Sequence, residues 1–189
     1  MTRRFRLPKV FTRLRRSESG LAAIEMALFA PILGLLLLGG YDVARYISIR
    51  TGVDKVAFSV ADVTAQYKQL TAAAMRQVFL ITGTSLTSYS SGTNGVTVLT
   101  SVYLDKTTPK VSWQCYSSSG TGWTSKIGVA GGTATIDSSL LADVNDNVMV
   151  AEVFYKFTPV FSNFFKDSFM IYSSAVFRPR LGSLTSKPC

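Results

Sequence analysis

The chain has 189 residues, 47% of them hydrophobic, and a formal net charge of +9. That length leaves room for one modest globular domain beside a membrane segment and excludes two large domains. Seven basic residues and one acid fall in the first twenty positions, so the remainder carries thirteen basic against ten acidic residues, +3, too weak a field to point to a nucleic-acid partner.

The opening stretch, RRFRLPKVFTRLRRSESG, sets Arg3, Arg4, Arg6, Lys9, Arg13, Arg15 and Arg16 against Glu18. It leads into Leu21 to Gly40, LAAIEMALFAPILGLLLLGG, twenty residues with one ionisable group, Glu25. About 20 apolar residues span a bilayer core of about 30 Å, so residues 21–40 are predicted to be a transmembrane helix. Basic flanks stay on the cytoplasmic side, which places residues 1–20 inside as a leader and everything after Gly40 outside. Pro31 removes one backbone hydrogen bond and is expected to kink the helix, which membrane helices tolerate. A basic start followed by an apolar run also fits an ordinary secretory signal cut near Gly34 or Gly39-Gly40. Against that, the residues beyond continue a helical pattern without a break.

A carboxylate in a membrane helix costs about 2.5 to 3.5 kcal/mol at the centre and less near the edge. Glu25 either reaches headgroup depth, is protonated, or has a partner. It is the fifth residue after Gly20. Gly20 followed by LAAIE, behind an Arg-rich leader and ahead of an apolar helix, resembles a type IV prepilin cleavage site. AAIEMALFAPIL resembles in particular the TadE/TadF-like proteins of tight-adherence (Tad/Flp) pilus systems. The resemblance implies a prepilin peptidase that cuts between Gly20 and Leu21, and a Glu25 that pairs with the free N-terminal amine of a neighbouring subunit. The pairing has a physical basis, since two opposite charges in a low-dielectric setting offset each other's desolvation only together. Major pilins of these systems carry Glu-Tyr here, whereas Met26 follows Glu25 in this chain. That departure implies a minor pilin-like protein, with other Tad pilins and pilus assembly proteins as partners through the N-terminal helix. The implied location is the bacterial inner membrane, with a periplasmic C-terminal domain.

Beyond Gly40, Tyr46, Ile49, Val53, Val56, Val60, Val63 and Tyr67 recur at alternating steps of 3 and 4, the signature of one helix face. Arg45, Arg50, Asp54, Lys55, Asp62 and Lys68 lie between them as a solvated face would require. One helix from about residue 21 to 67 is expected, its stripe packing on the chain's own domain and, in part, on neighbouring subunits. LTAAAMRQVFLI then predicts a second helix of about twelve residues, ended by Thr82-Gly83. The Ser/Thr/Gly stretch that follows reads as a loop and marks the change from helix to sheet.

Four strands are predicted, at Val96 to Leu104, Lys110 to Tyr116, Val148 to Thr158 and Phe169 to Arg178. In the second, Val111, Trp113 and Cys115 share a face, so Cys115 points inward; in the third, Glu152 and Lys156 lie opposite an apolar face. DKTTP between the first two suits an antiparallel hairpin. Residues 117–147 form a long Ser/Gly/Thr stretch with Trp123 buried in it, read as a variable surface or a short helix near Ser138 to Ala142. The fold class is therefore α+β, a long N-terminal transmembrane helix with a second short helix packed on a C-terminal antiparallel sheet of about four strands. The organisation is a leader at 1–20, a transmembrane segment at 21–40, helices at 41–82 and a β domain at 83–189. VAEVFYKFTPVF and AVFRPR, Ala175 to Arg180, are further similar to the TadE family's outer domain, while Arg178 and Arg180 read simply as solvated charges at a strand end.

The chain contains no histidine, which removes Ser-His and Cys-His nucleophile pairs and any His ligand. DVNDN holds only a fragment of a calcium loop, and Gly131-Gly132 lacks the Lys of a phosphate-binding loop. No cofactor, metal or catalytic residue is expected, and the role is read as structural. The two cysteines, Cys115 and Cys189, fall outside the cytoplasm, where an oxidising compartment lets them pair; the alternative is a buried Cys115 and a free Cys189.

Overall fold

A computed structural model describes residues 19–86, 89–119, 122–144, 146–161 and 167–189. The leader up to residue 18 and Asn145 of the turn before the third strand lie outside the described residues. The chain divides into two compact units, Met1–Val43 and Ala44–Cys189.

The first helix, α1, spans Ser19–Ala65 and continues through Pro31. Among the described residues it alone is long and apolar enough to cross a membrane. Within the first unit its apolar side chains are exposed, Leu21, Ile24, Met26, Leu28, Leu36 and Leu37 each by more than half. Such a surface is stable only against lipid or another apolar partner, so α1 is suited to a single-pass anchor.

In the second unit α1 supplies the stripe read from the sequence as far as Val63; the helix ends at Ala65, two residues before the expected 67, and Tyr67 follows it in a turn closed by its N–H to the Thr64 carbonyl at 3.2 Å. Ile49, Val53, Val56 and Val60 are buried in one core, with Tyr46, Val63 and Tyr67 packed on its margin. The stripe therefore lies against the chain's own sheet. The second helix, α2 (Ala72–Ser85), begins at Thr71, whose hydroxyl accepts from the Ala74 N–H at 3.2 Å and satisfies one orphan donor of the first turn. It runs on through Gly83, because tertiary contacts override the weak local signal. Thr82 is fully buried with its hydroxyl 2.9 Å from that of Thr97, and the Thr84 hydroxyl bonds back to the Leu80 and Ile81 carbonyls.

The sheet consists of β1 (Gly95–Asp105), β2 (Thr108–Tyr116), β3 (Asn147–Phe157) and β4 (Phe169–Phe177), antiparallel throughout in the order β2-β1-β3-β4. The β1–β2 hairpin is tighter than the DKTTP spacer implied. Asp105 pairs with Thr108, leaving Lys106 and Thr107 in the turn, with Lys106 at φ 58°. At the start of β1 a side chain at Gly95 would meet the Tyr89 ring and the Phe154 carbonyl, so only glycine fits there.

One sheet face packs on the helices through Leu99, Trp113, Met149, Val153, Phe157 and Ile171. The other face is also covered. Ile127, Ala134 and Leu141 from the stretch between β2 and β3 bury Val102, Leu104, Val111, Val148 and Val150. The long Ser/Gly/Thr segment is thus a third layer, with one 3-10 turn at Ser138–Leu140 capped by Asp137. The Asp137 carboxylate accepts the Ser139 N–H, which holds its pKa below the ordinary value. Trp123 is half-buried there, against Phe154 at 6.3 Å between centroids.

Candidate assembly site

The residues singled out by the sequence at the N-terminus, Gly20, Leu21 and Glu25, all lie in the first turns of α1. Leu21 is 62% exposed and Glu25 is exposed. Four residues of helix separate Leu21 from Glu25, about 6 Å along the axis. Among the described residues no cation pairs with Glu25, and between Leu21 and Ala44 the sequence holds no Lys or Arg. Nothing in the described fold demands glycine at position 20, since a Cβ there would meet open space; the same holds at Gly34 and Gly40.

Cys115 and Cys189 are joined by a disulfide, with Cα atoms 6.0 Å apart, across a separation of 74 residues. It is one of several ties on the segment after β4. The Leu184 carbonyl accepts from the Trp113 indole and the Ser101 hydroxyl, each at 2.9 Å, and its N–H donates to the Asn147 side chain at 3.1 Å. This segment crosses β1 and β2 on the helix side and places Leu184 in the core.

Arg178 and Arg180 are exposed, as expected at a strand end, yet each is partnered. Arg178 donates to the Leu140 carbonyl at 2.8 Å and pairs with Asp146 at 3.3 Å. Arg180 pairs with Asp62 of α1, and its backbone N–H donates to the Ala65 carbonyl at 2.8 Å, satisfying one of the open carbonyls at that helix end. The α1 charges read as a solvated face are likewise used in part. Arg45 donates to the Thr158 carbonyl at 3.0 Å and Arg50 to the Tyr172 carbonyl at 3.2 Å.

Glu152 is where sequence reasoning missed most. It is fully buried on the sheet face covered by the third layer. Its carboxylate accepts from the Lys126 N–H at 2.8 Å, from the Tyr172 hydroxyl at 3.1 Å and from the Ser125 hydroxyl. Burial pushes the Tyr172 phenol up to about 12; a hydrogen bond with Ser174 opposes it, and the Glu152 charge and its hydrogen bond add smaller upward contributions. The usable signal was in β1: with Val96, Val98 and Val102 on one face and Leu99 on the other, a strand apolar on both sides requires cover on both sides. Among the described residues no cluster of three or more Cys, Asp or Glu is placed to hold a metal ion. The Asp146 carboxylate from the calcium-like fragment accepts instead from the Ala142 and Asn147 N–H groups and pairs with Arg178.

These features define a class: an α+β unit that follows, in the chain, an exposed apolar helix suited to single-pass anchoring. Residues 20–62 match the family model for TadE-like proteins, so this stretch of α1 is similar to that family. The match starts at Gly20 and includes Leu21, Glu25 and most of the buried stripe. It ends before the VAEVFYKFTPVF and AVFRPR segments. No curated protein and no solved structure matches the chain.

Proposed function

We propose that the chain is a minor pilin-like assembly component of a Tad (Flp) pilus. A prepilin peptidase cuts it after Gly20, and its N-terminus faces the cytoplasm before the cut. The observation that carries this reading is the TadE-like match beginning at the glycine five residues before the one acid of residues 21–40, an otherwise apolar and largely exposed stretch. Cleavage frees the Leu21 α-amine, which is largely protonated near neutral pH given an ordinary pKa of about 7.7 to 8. Glu25 has no cation on its own apolar stretch. A neighbouring subunit's amine supplies the missing charge if the two helices dock with an axial offset of four residues, about 6 Å. Each desolvated charge then offsets the other. Helix packing of this kind recruits the protein to other Tad pilins and assembly proteins in the inner membrane, with the second unit in the periplasm.

Mass spectrometry of the membrane-extracted protein tests the processing step. A chain beginning at Leu21 is expected, and one beginning at Met1 in a host with a working prepilin peptidase overturns it in favour of an unprocessed anchor with a periplasmic binding domain. Glu25→Ala separately tests the pairing: insertion is retained and piliation lost, and normal piliation refutes the role of the acid.

A further inference from the structure

One end of the second unit, where β3 leaves the sheet and β4 enters it, has the composition of a membrane-water interface. Arg45 bonds to the Thr158 carbonyl at 3.0 Å with its guanidinium 5.3 Å from the Phe157 ring centroid. Tyr46 packs on Phe157 at 5.9 Å and Phe169 at 5.6 Å. Residues 45 and 46 therefore sit at this end. Beside them, Lys156 pairs in register with Met170, and both line a shallow open groove with Trp123. Val160 is 57% and Met170 48% exposed, Lys156 is exposed, and the exposed Lys126 holds its ammonium 4.0 Å over the Tyr172 ring. Asp167 is an exposed acid at this end, and Asp42, buried, precedes Arg45 by one turn of α1.

Chain length fixes what this end can reach. The apolar span closes at Gly40, and Arg45 follows five residues later in the same helix. Five residues advance about 8 Å as helix and at most about 18 Å extended. The headgroup layer begins at the edge of the hydrocarbon core and is roughly 5 to 8 Å deep. Tryptophan, lysine and arginine beside exposed aliphatic side chains are the residue types that partition to that layer.

We propose that this end of the second unit rests in the headgroup layer of the bilayer that α1 crosses. Arg45, Lys126 and Lys156 face anionic lipid phosphates there, and Trp123, Val160 and Met170 enter the interfacial region. The inference rests on the membrane reading of α1 and is independent of any pilus role. Trp123 provides the probe, because the chain has two tryptophans and the other, Trp113, is buried with its indole bonded to the Leu184 carbonyl. The full chain is reconstituted into vesicles of equal parts phosphatidylcholine and phosphatidylglycerol, the lipids brominated at upper acyl carbons, and cofractionation with the vesicles confirms anchoring. Quenching of tryptophan emission is expected in the native chain and is expected to vanish in Trp123→Phe, which keeps an aromatic ring against Phe154. Lys156→Gln should lower the docked-to-undocked ratio about fivefold in these vesicles and leave it unchanged in pure phosphatidylcholine. An anchored chain whose quenching equals that of Trp123→Phe overturns the proposal while leaving the anchor intact. Quenching indifferent to both lipid charge and Lys156→Gln overturns phosphate as the ligand.

Discussion

Replacing Glu152 by alanine removes the group that fastens the third layer to the sheet. In the native unit one carboxylate oxygen accepts from the Lys126 N–H at 2.8 Å and the Tyr172 hydroxyl at 3.1 Å, and the other accepts from the Ser125 hydroxyl, whose oxygen in turn accepts the Ile127 N–H at 3.1 Å. Truncation leaves the buried Ser125 hydroxyl and the Lys126 N–H without an acceptor, while the half-buried Tyr172 can turn toward water. A buried donor left unpaired costs about 1 to 3 kcal/mol, and the part-buried Lys126 N–H, which water can reach, costs less, so the two together cost roughly 2 to 4 kcal/mol. Removing the charge returns part of its desolvation penalty, which brings the expected loss to the lower end of that range, about 2 kcal/mol. Glu152→Gln keeps the volume and one acceptor and should lose about 1 kcal/mol. Urea unfolding of the detergent-solubilised chain, followed by tryptophan emission, reads the change as a shifted midpoint at constant slope. Limited trypsin digestion reads it locally, since Lys126 is exposed on the fastened segment and should be cut faster in the alanine variant. An alanine variant within about 0.5 kcal/mol of the native chain, with no faster cleavage after Lys126, refutes the role given to Glu152.

Three further outcomes follow from the same contacts. Because the folded state holds the Tyr172 phenol up at about 12, against an unfolded value of 10.0, the unfolded chain loses that proton first; stability from this group is intact below pH 10 and is lost as pH rises toward 12. Tyr172→Phe should remove that share of the alkaline decline in urea midpoints, and an unchanged alkaline slope counts against it. Reducing the disulfide, or replacing Cys189 by serine, reopens a 74-residue loop that the chain-entropy model values at about 4.5 kcal/mol, so the melting temperature should fall with residue 19–65 helicity retained in circular dichroism. Gly95→Ala places a Cβ 2.8 Å from the Phe154 carbonyl oxygen and should cost about 1 to 3 kcal/mol, whereas Gly83→Ala, which meets nothing within 4 Å, should be neutral or stabilising in the same melts.

How much of this was legible in the chain depends on periodicity. The 3/4 stripe of α1 and the alternation in β2 and β3 are repeating patterns, and the structure buries Ile49, Val53, Val56, Val60, Trp113 and Met149 as those patterns require. The stretch between β2 and β3 carries no period, because its apolar residues, Ile127, Ala134 and Leu141, reach the sheet from irregular backbone. Glu152 sits on the polar beat of an alternating strand, and a carboxylate there reads as solvated unless its hydrogen-bond donors are known. Those donors lie 20 to 27 residues away in sequence, beyond any local pattern. Arg180 is exposed as a strand-end charge should be, but its pairing with Asp62, 118 residues upstream, left no local signature for a similar reason. At the N-terminus the position was reversed: Gly20, Leu21 and Glu25 stand out in the sequence, and the fold alone gives them no contacts that explain them.

The bond between Cys115 and Cys189 also decides how the second unit carries mechanical load. Tension applied near residue 189 enters the sheet at β2 and does not peel β4 away from the edge, because the covalent link short-circuits everything between the two sulfurs. Those 74 residues, on the order of 250 Å of extended chain, stay locked until the link is reduced. A protein tethered by a helix at one end and pulled at the other would therefore lengthen only through α1, α2 and the first two strands, a short and stiff extension for its size.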